Sequence, residues 1–228
     1  MPRGTKYDFY ERFALDVPTY HDAFTGDAIN LDYWAVAKNG TSSVNFAVPS
    51  TLVSGGGVQA ETGTDDNGYA DMIGPKIYDT AKNCLIIVKF KLDAVTTAKF
   101  EIGWADAHQA GMVNALDTPT STGTDYAVLA YDTDSTDDKI ELITDGTTGA
   151  AAATATTLVP VLDTYHTAAV HLQNGNSAGY WDGQLVAQST QSPDAATLVC
   201  PWIFVQTRAG SANRIMTVDY VFVMQDPA

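Results

Sequence analysis

Two carboxylates, Glu101 and Asp106, bracket the apolar run Ile102-Gly103-Trp104-Ala105. Carboxylates that share a face can cut a glycosidic bond, one as nucleophile or base and the other as general acid. A strand sends successive side chains to opposite faces. Glu101 and Asp106 are five apart and therefore diverge, while Gly103 and Ala105 hold the positions on the Glu101 side. The four histidines are His21, His108, His166 and His171. His166 and His171 are also five apart in a strand-like run, so they share neither a metal nor a nucleophile. Surface or hydrogen-bonded core histidines are expected. Ser54-Gly55-Gly56-Gly57 lacks the lysine and helix of a phosphate cradle.

The densest acidic cluster is Asp132-Thr133-Asp134-Ser135-Thr136-Asp137-Asp138. Oxygens of Asp132, Asp134, Asp137 and Asp138 could hold Ca²⁺, but an EF-hand loop needs Gly sixth and Glu twelfth. Asp137 and Ile143 stand there. A solvated hairpin tip is expected and no cofactor, with Ca²⁺ as the alternative. Asp65-Asp66-Asn67-Gly68 reads as another turn. Cys84 and Cys200 lie in apolar runs and read as buried thiols, a disulfide being the alternative in an oxidising compartment. Neither has the Cys/His spacing of a zinc site. Trp34, Trp104, Trp181 and Trp202 sit in apolar runs that predict core packing. A sugar-stacking platform would need their rings exposed.

The elements that must position these residues read as strands. Cys84 to Leu92 sets Val88, Phe90 and Leu92 against Lys89 and Lys91, the period of a sheet with one wet face. Lys99 to Trp104 alternates in the same way. Asn45–Val48, Tyr126–Tyr131, Lys139–Ile143, Tyr165–Leu172, Ala178–Trp181, Gln184–Ala187, Trp202–Val205 and Met216–Val223 complete the set. Asp182-Gly183 between two of them is a strong hairpin signal. The Ala-rich stretch Gly149–Thr157 reads as a loop or one short turn. The helical crossovers of a parallel α/β fold are absent, which leaves an antiparallel sandwich or barrel.

The 228 residues suit one all-β domain. Hydrophobic residues make up 45% and charged residues 17%, a globular balance. Twelve Lys+Arg against 27 Asp+Glu give a formal charge of −15. With no basic stripe to displace counterions, neither nucleic acid nor an anionic membrane is an expected partner. No apolar stretch follows the first basic residues, so no signal peptide is read, and no run is long enough to span a membrane. Residues 1–21 form an expected N-terminal arm, and residues 22–228 the domain. Arg3, Lys6 and Arg12 interleave there with Tyr7, Phe9, Tyr10 and Phe13. Aromatic residues and arginine are enriched at interface cores. These seven are candidate partner-binding residues, with a strap over the chain's own sandwich as the alternative.

Three segments carry a family resemblance. Asp22-Ala23-Phe24-Thr25-Gly26-Asp27-Ala28-Ile29-Asn30-Leu31-Asp32-Tyr33-Trp34 resembles the opening of concanavalin-A-like lectin/glucanase domains. Gly179-Tyr180-Trp181-Asp182-Gly183-Gln184-Leu185-Val186-Ala187 is similar to a hairpin of laminin-G-like domains. Val218-Asp219-Tyr220-Val221-Phe222-Val223 resembles their last strand, which lies beside the first. The resemblance implies an antiparallel two-sheet β-sandwich, a jelly roll. Glucanases of this fold carry E-x-D-x-E on one strand, pointing into a cleft. Here Glu101 is followed by Gly103 and Ala105, so a non-enzymatic protein is expected.

The wider pattern, with Pro201-Trp202-Ile203-Phe204-Val205-Gln206-Thr207-Arg208-Ala209-Gly210, is similar to structural proteins of tailed-phage particles. That resemblance implies a head-decoration (cement) protein on the outer surface of the virion, made in the host cytoplasm. It would be a homotrimer bound to the major capsid protein. The alternative is a carbohydrate-binding module, free or on a phage tail.

Overall fold

A computed structural model describes residues 19–25, 28–49, 56–107, 110–113, 116, 123–146 and 151–226. All the regular elements among them are strands, arranged in two antiparallel sheets. The back sheet runs β14 (Gln184–Ser189), β13 (Asn176–Trp181), β12 (His166–Gln173), β7 (Cys84–Leu92), β16 (Ile215–Gln225), β4 (Val58–Glu61) and β3 (Val44–Ala47). The front sheet runs β11 (Ala152–Ala155), β10 (Glu141–Asp145), β9 (Tyr126–Asp132), β8 (Ala98–Ala105), β15 (Leu198–Thr207), β5 (Tyr69–Ile73) and β2 (Ala35–Asn39), with β6 (Tyr78–Asp79) also on β15. β1 (Thr19–Asp22) pairs with the far half of β16, Thr19 opposite Met224. First and last strands thus lie side by side, as the resemblance implies. Thr19 to His21, assigned to the arm by sequence, belong to this sheet.

The sandwich closes on the inner faces of both sheets. Ile86, Val88 and Phe90 of β7 meet Phe100, Ile102 and Trp104 of β8, each at most 1% exposed. Phe90 and Phe100 pack edge to face with centroids 5.1 Å apart. Truncating such a ring costs about 3–5 kcal/mol through lost transfer energy and the cavity left behind. The Trp104 indole N–H crosses the sandwich and donates to the Val170 carbonyl at 3.1 Å. That satisfies the one polar atom of a fully buried side chain.

β7 alternates buried and half-buried along its whole length, so the period expected for Val88 to Leu92 extends back to Cys84. The Asp182-Gly183 turn has φ of 49° and 78°, the two positive values of a two-residue hairpin loop whose twist matches its strands. The Ala-rich stretch departs from expectation: Ala152–Ala155 is a strand, paired along β10 from Glu141 to Thr144. An edge strand needs only one set of ladder bonds, and small residues supply them despite their helix propensity. Cys84 and Cys200 are free and buried. They donate instead to the carbonyls of Asp79 at 3.1 Å and Ala105 at 2.9 Å.

Candidate functional site

The resemblance places a cleft over the outer face of the front sheet, the side to which Glu101 points. Strand register aligns a row across it: Ala37 opposite Asp71, Asp71 opposite Phe204, Phe204 opposite Glu101, Glu101 opposite Ala130, and Ala130 opposite Glu141. Three carboxylates thus share a face, each two strands from the next, with backbones roughly 9–10 Å apart. That separation is within reach of hydrolytic pairs, and sequence spacing cannot reveal it because the residues come from three distant strands.

This face is covered. Every residue of β8 is buried, which overturns the wet face expected for Lys99 to Trp104. Met112, Val113 and Leu116, from the connection between β8 and β9, pack onto Tyr126, Val128, Trp202 and Phe204 in a second apolar cluster. Beneath them Glu101 is fully buried and both its oxygens are engaged. Oε1 meets Lys99 Nζ at 2.7 Å and accepts from Val113 N–H at 3.1 Å. Oε2 accepts from Met112 N–H at 2.7 Å and from the Trp202 indole at 3.0 Å. Lys99, 1% exposed, also donates to the Val113 carbonyl. A buried ion pair holds only when such extra bonds satisfy its remaining valences. Here those bonds pin the covering segment to the sheet.

The glycine at position 103 has a steric cause. A Cβ there would lie 2.2 Å from the Ala127 carbonyl oxygen and 2.9 Å from Val128 Cα. β9 approaches too closely for any side chain, so no carboxylate fits the middle of an E-x-D-x-E pattern in this chain. Asp71, buried beside Phe204, has its carboxyl pushed up to about 8 because burial disfavours the charged form.

The other sequence candidates separate. His166 faces inward against Trp181, their ring centroids 4.7 Å apart, whereas half-buried His171 lies on the outer face. Val161 N–H donates to His166 Nε2 at 3.0 Å, so Nδ1 carries the proton and donates to Asp182 Oδ2 at 2.8 Å. Asp132, expected at a solvated tip, is 1% exposed and takes the Arg208 guanidinium, with Nε donating to Oδ1 at 2.8 Å. That engagement takes Asp132 out of the proposed Ca²⁺ set. Among the described residues no three His, Cys, Asp or Glu side chains converge as metal ligands. The four tryptophans are at most 5% exposed, so no indole platform faces solvent. Arg3, Lys6, Tyr7, Phe9, Tyr10, Arg12 and Phe13 lie outside the described residues, as does His108.

No family model matches the sequence. No curated protein matches it either. Solved structures do. The Emp47p carbohydrate recognition domain superposes with a TM-score of 0.64 at 8% identity, over 93% of this chain and 98% of that one. A protein of unknown function from Shewanella oneidensis MR-1 gives 0.66 at 12%, over 100% and 96%. The catalytic domain of an endo-1,3-beta-glucanase (laminarinase) from Thermotoga petrophila RKU-1 gives 0.61 at 14%, over 92% and 98%. The chain therefore has the concanavalin-A-like jelly-roll fold that lectin domains and glucanases share.

Proposed function

We propose that this chain is a carbohydrate-recognition domain that holds its ligand without cutting it. The observation that carries this reading is the condition of Glu101. The carboxylate nearest a glucanase arrangement serves as an anchor for Met112 and Val113, with four bonds to its two oxygens. Chemistry at a sugar needs a carboxylate free to reach the substrate, and this one has no remaining valence for it. What the fold retains is a broad rigid sandwich of the kind used by the Emp47p recognition domain. A glycan array, followed by mass analysis of the bound oligosaccharides, tests the proposal. Bound and intact glycans are expected; shortened ones would overturn it.

A second reading is the head-decoration protein, bound as a trimer to a major capsid protein through the 1–21 arm. Exposed apolar side chains favour it: Val159, Val161, Leu162 and Leu185 are 49–58% exposed, and contiguous exposed apolar surface marks protein–protein contacts. Co-sedimentation with expanded phage heads at stoichiometric occupancy, lost when residues 1–18 are removed, is the expected result. Free protein in the supernatant would remove this reading.

A further inference from the structure

The back sheet carries a depression on its outer face, on the opposite side of the sandwich from the covered front. Its floor is Ala178 of β13. Register sets His171 of β12 on one side of that alanine and Gln188 of β14 on the other. Asn176 and Tyr180 flank it along its own strand, two residues away in each direction and so on the same face. One methyl group ringed by four longer side chains leaves a hollow, here 320 Å³ with Gln173 and Ser177 also in its wall. That volume lies in the range of small-molecule sites.

The chemistry of the lining is selective. The hollow is lined by no Asp, Glu, Lys or Arg, although the chain has 27 acidic residues. Burial lowers the affinity of His171 for a proton, so the imidazole is neutral at neutral pH. The amides of Gln173 and Gln188, the imidazole and the Tyr180 hydroxyl each offer both a donor and an acceptor, while Asn176 Nδ2 already donates to the Gln173 and Asn174 carbonyls and leaves its Oδ1 as an acceptor. An anion would meet a molecule of charge −15, and a cation would find no carboxylate in the wall. Vicinal hydroxyls on an uncharged ring match paired donors and acceptors, and the Tyr180 ring adds an apolar face for C–H groups.

We infer that the hollow around Ala178 is the binding site for a neutral saccharide. The inference rests on the recognition reading above and places the ligand on the back sheet, away from the covered front face.

The test uses the full chain and a panel of neutral cello-, laminari-, malto-, manno- and xylo-oligosaccharides, read by saturation-transfer NMR. Ala178→Trp fills the hollow from an outer-face position, and thermal melts check that it folds. Gln188→Ala, at an exposed residue, removes one amide without filling anything and serves if the first variant does not fold. Binding by the parent, at least about tenfold weaker in Ala178→Trp and about fivefold weaker in Gln188→Ala, is the expected result. Binding that both folded variants keep unchanged would overturn the site and leave the recognition reading standing. A parent that binds nothing in the panel would overturn both.

Discussion

Trp202 donates its indole N–H to Glu101 at 3.0 Å, and this bond joins two strands to the segment above them. Glu101 is thereby the acceptor for three N–H donors as well as the partner of Lys99. The two ends of the ion pair are therefore unequal. Glu101→Ala strands a buried ammonium and three donors, and is expected to cost about 3–5 kcal/mol. Lys99→Met leaves the carboxylate with its three N–H bonds, and is expected to cost less, on the order of 1–2 kcal/mol. Urea denaturation of both variants checks the order. Equal losses, or a larger loss for Lys99→Met, would contradict the assignment of Glu101 as the anchor.

Restoring a carboxylate to the middle of the pattern is expected to destroy the fold rather than create activity. The new Cβ in Gly103→Asp would stand 2.2 Å from a main-chain oxygen of β9, and neither strand can retreat without breaking its ladder. A loss of at least about 4 kcal/mol is expected. A soluble variant with an unchanged melting temperature would show that β9 is not as close as described.

Asp71 gives the stability a pH dependence of definite sign. Its carboxyl stands at about 8 in the fold against an ordinary 3.8. Between those values the folded chain holds a proton that the unfolded chain releases, so stability falls as pH rises through the window. The contribution is complete below the lower value and lost above the upper one. Asp71→Asn removes the titration. A flatter profile across that window is expected, with the variant more stable than the parent above about pH 8. Parallel profiles would contradict it.

His166 ties the apolar loop to the hairpin through both ring nitrogens. His166→Phe keeps a ring against Trp181 and removes both bonds, leaving the Val161 amide without its acceptor. A loss of about 1–2 kcal/mol is expected, with hydrogen exchange at Val161 at least about tenfold faster. Unchanged exchange would mean that the loop is held by its apolar contacts alone.

The back sheet was legible because half of it is wet. The alternation of Val88, Phe90 and Leu92 against Lys89 and Lys91 survives in the structure since Lys89 and Lys91 do reach solvent. The front sheet misled for the converse reason. Lys99 and Glu101 look like a solvent face, yet the segment that buries them is a long connection of no regular period. Asp71, Glu101 and Glu141, 30 to 70 residues apart along the chain, form one row only through pairings such as those of Phe204, which lies 133 residues from Asp71 and 103 from Glu101. The hollow at Ala178 was equally hidden: an alanine in a strand signals nothing until its cross-strand neighbours are known. Gly103 was visible as a missing carboxylate, but the approach of Ala127 that requires it was not.

The most direct measurement incubates the protein with the neutral oligosaccharide panel and follows both binding and chain length by NMR and mass spectrometry. Saturable binding with every oligosaccharide intact is expected. Shorter products would mean that a carboxylate on this chain reaches a glycosidic bond, and would contradict recognition without cleavage.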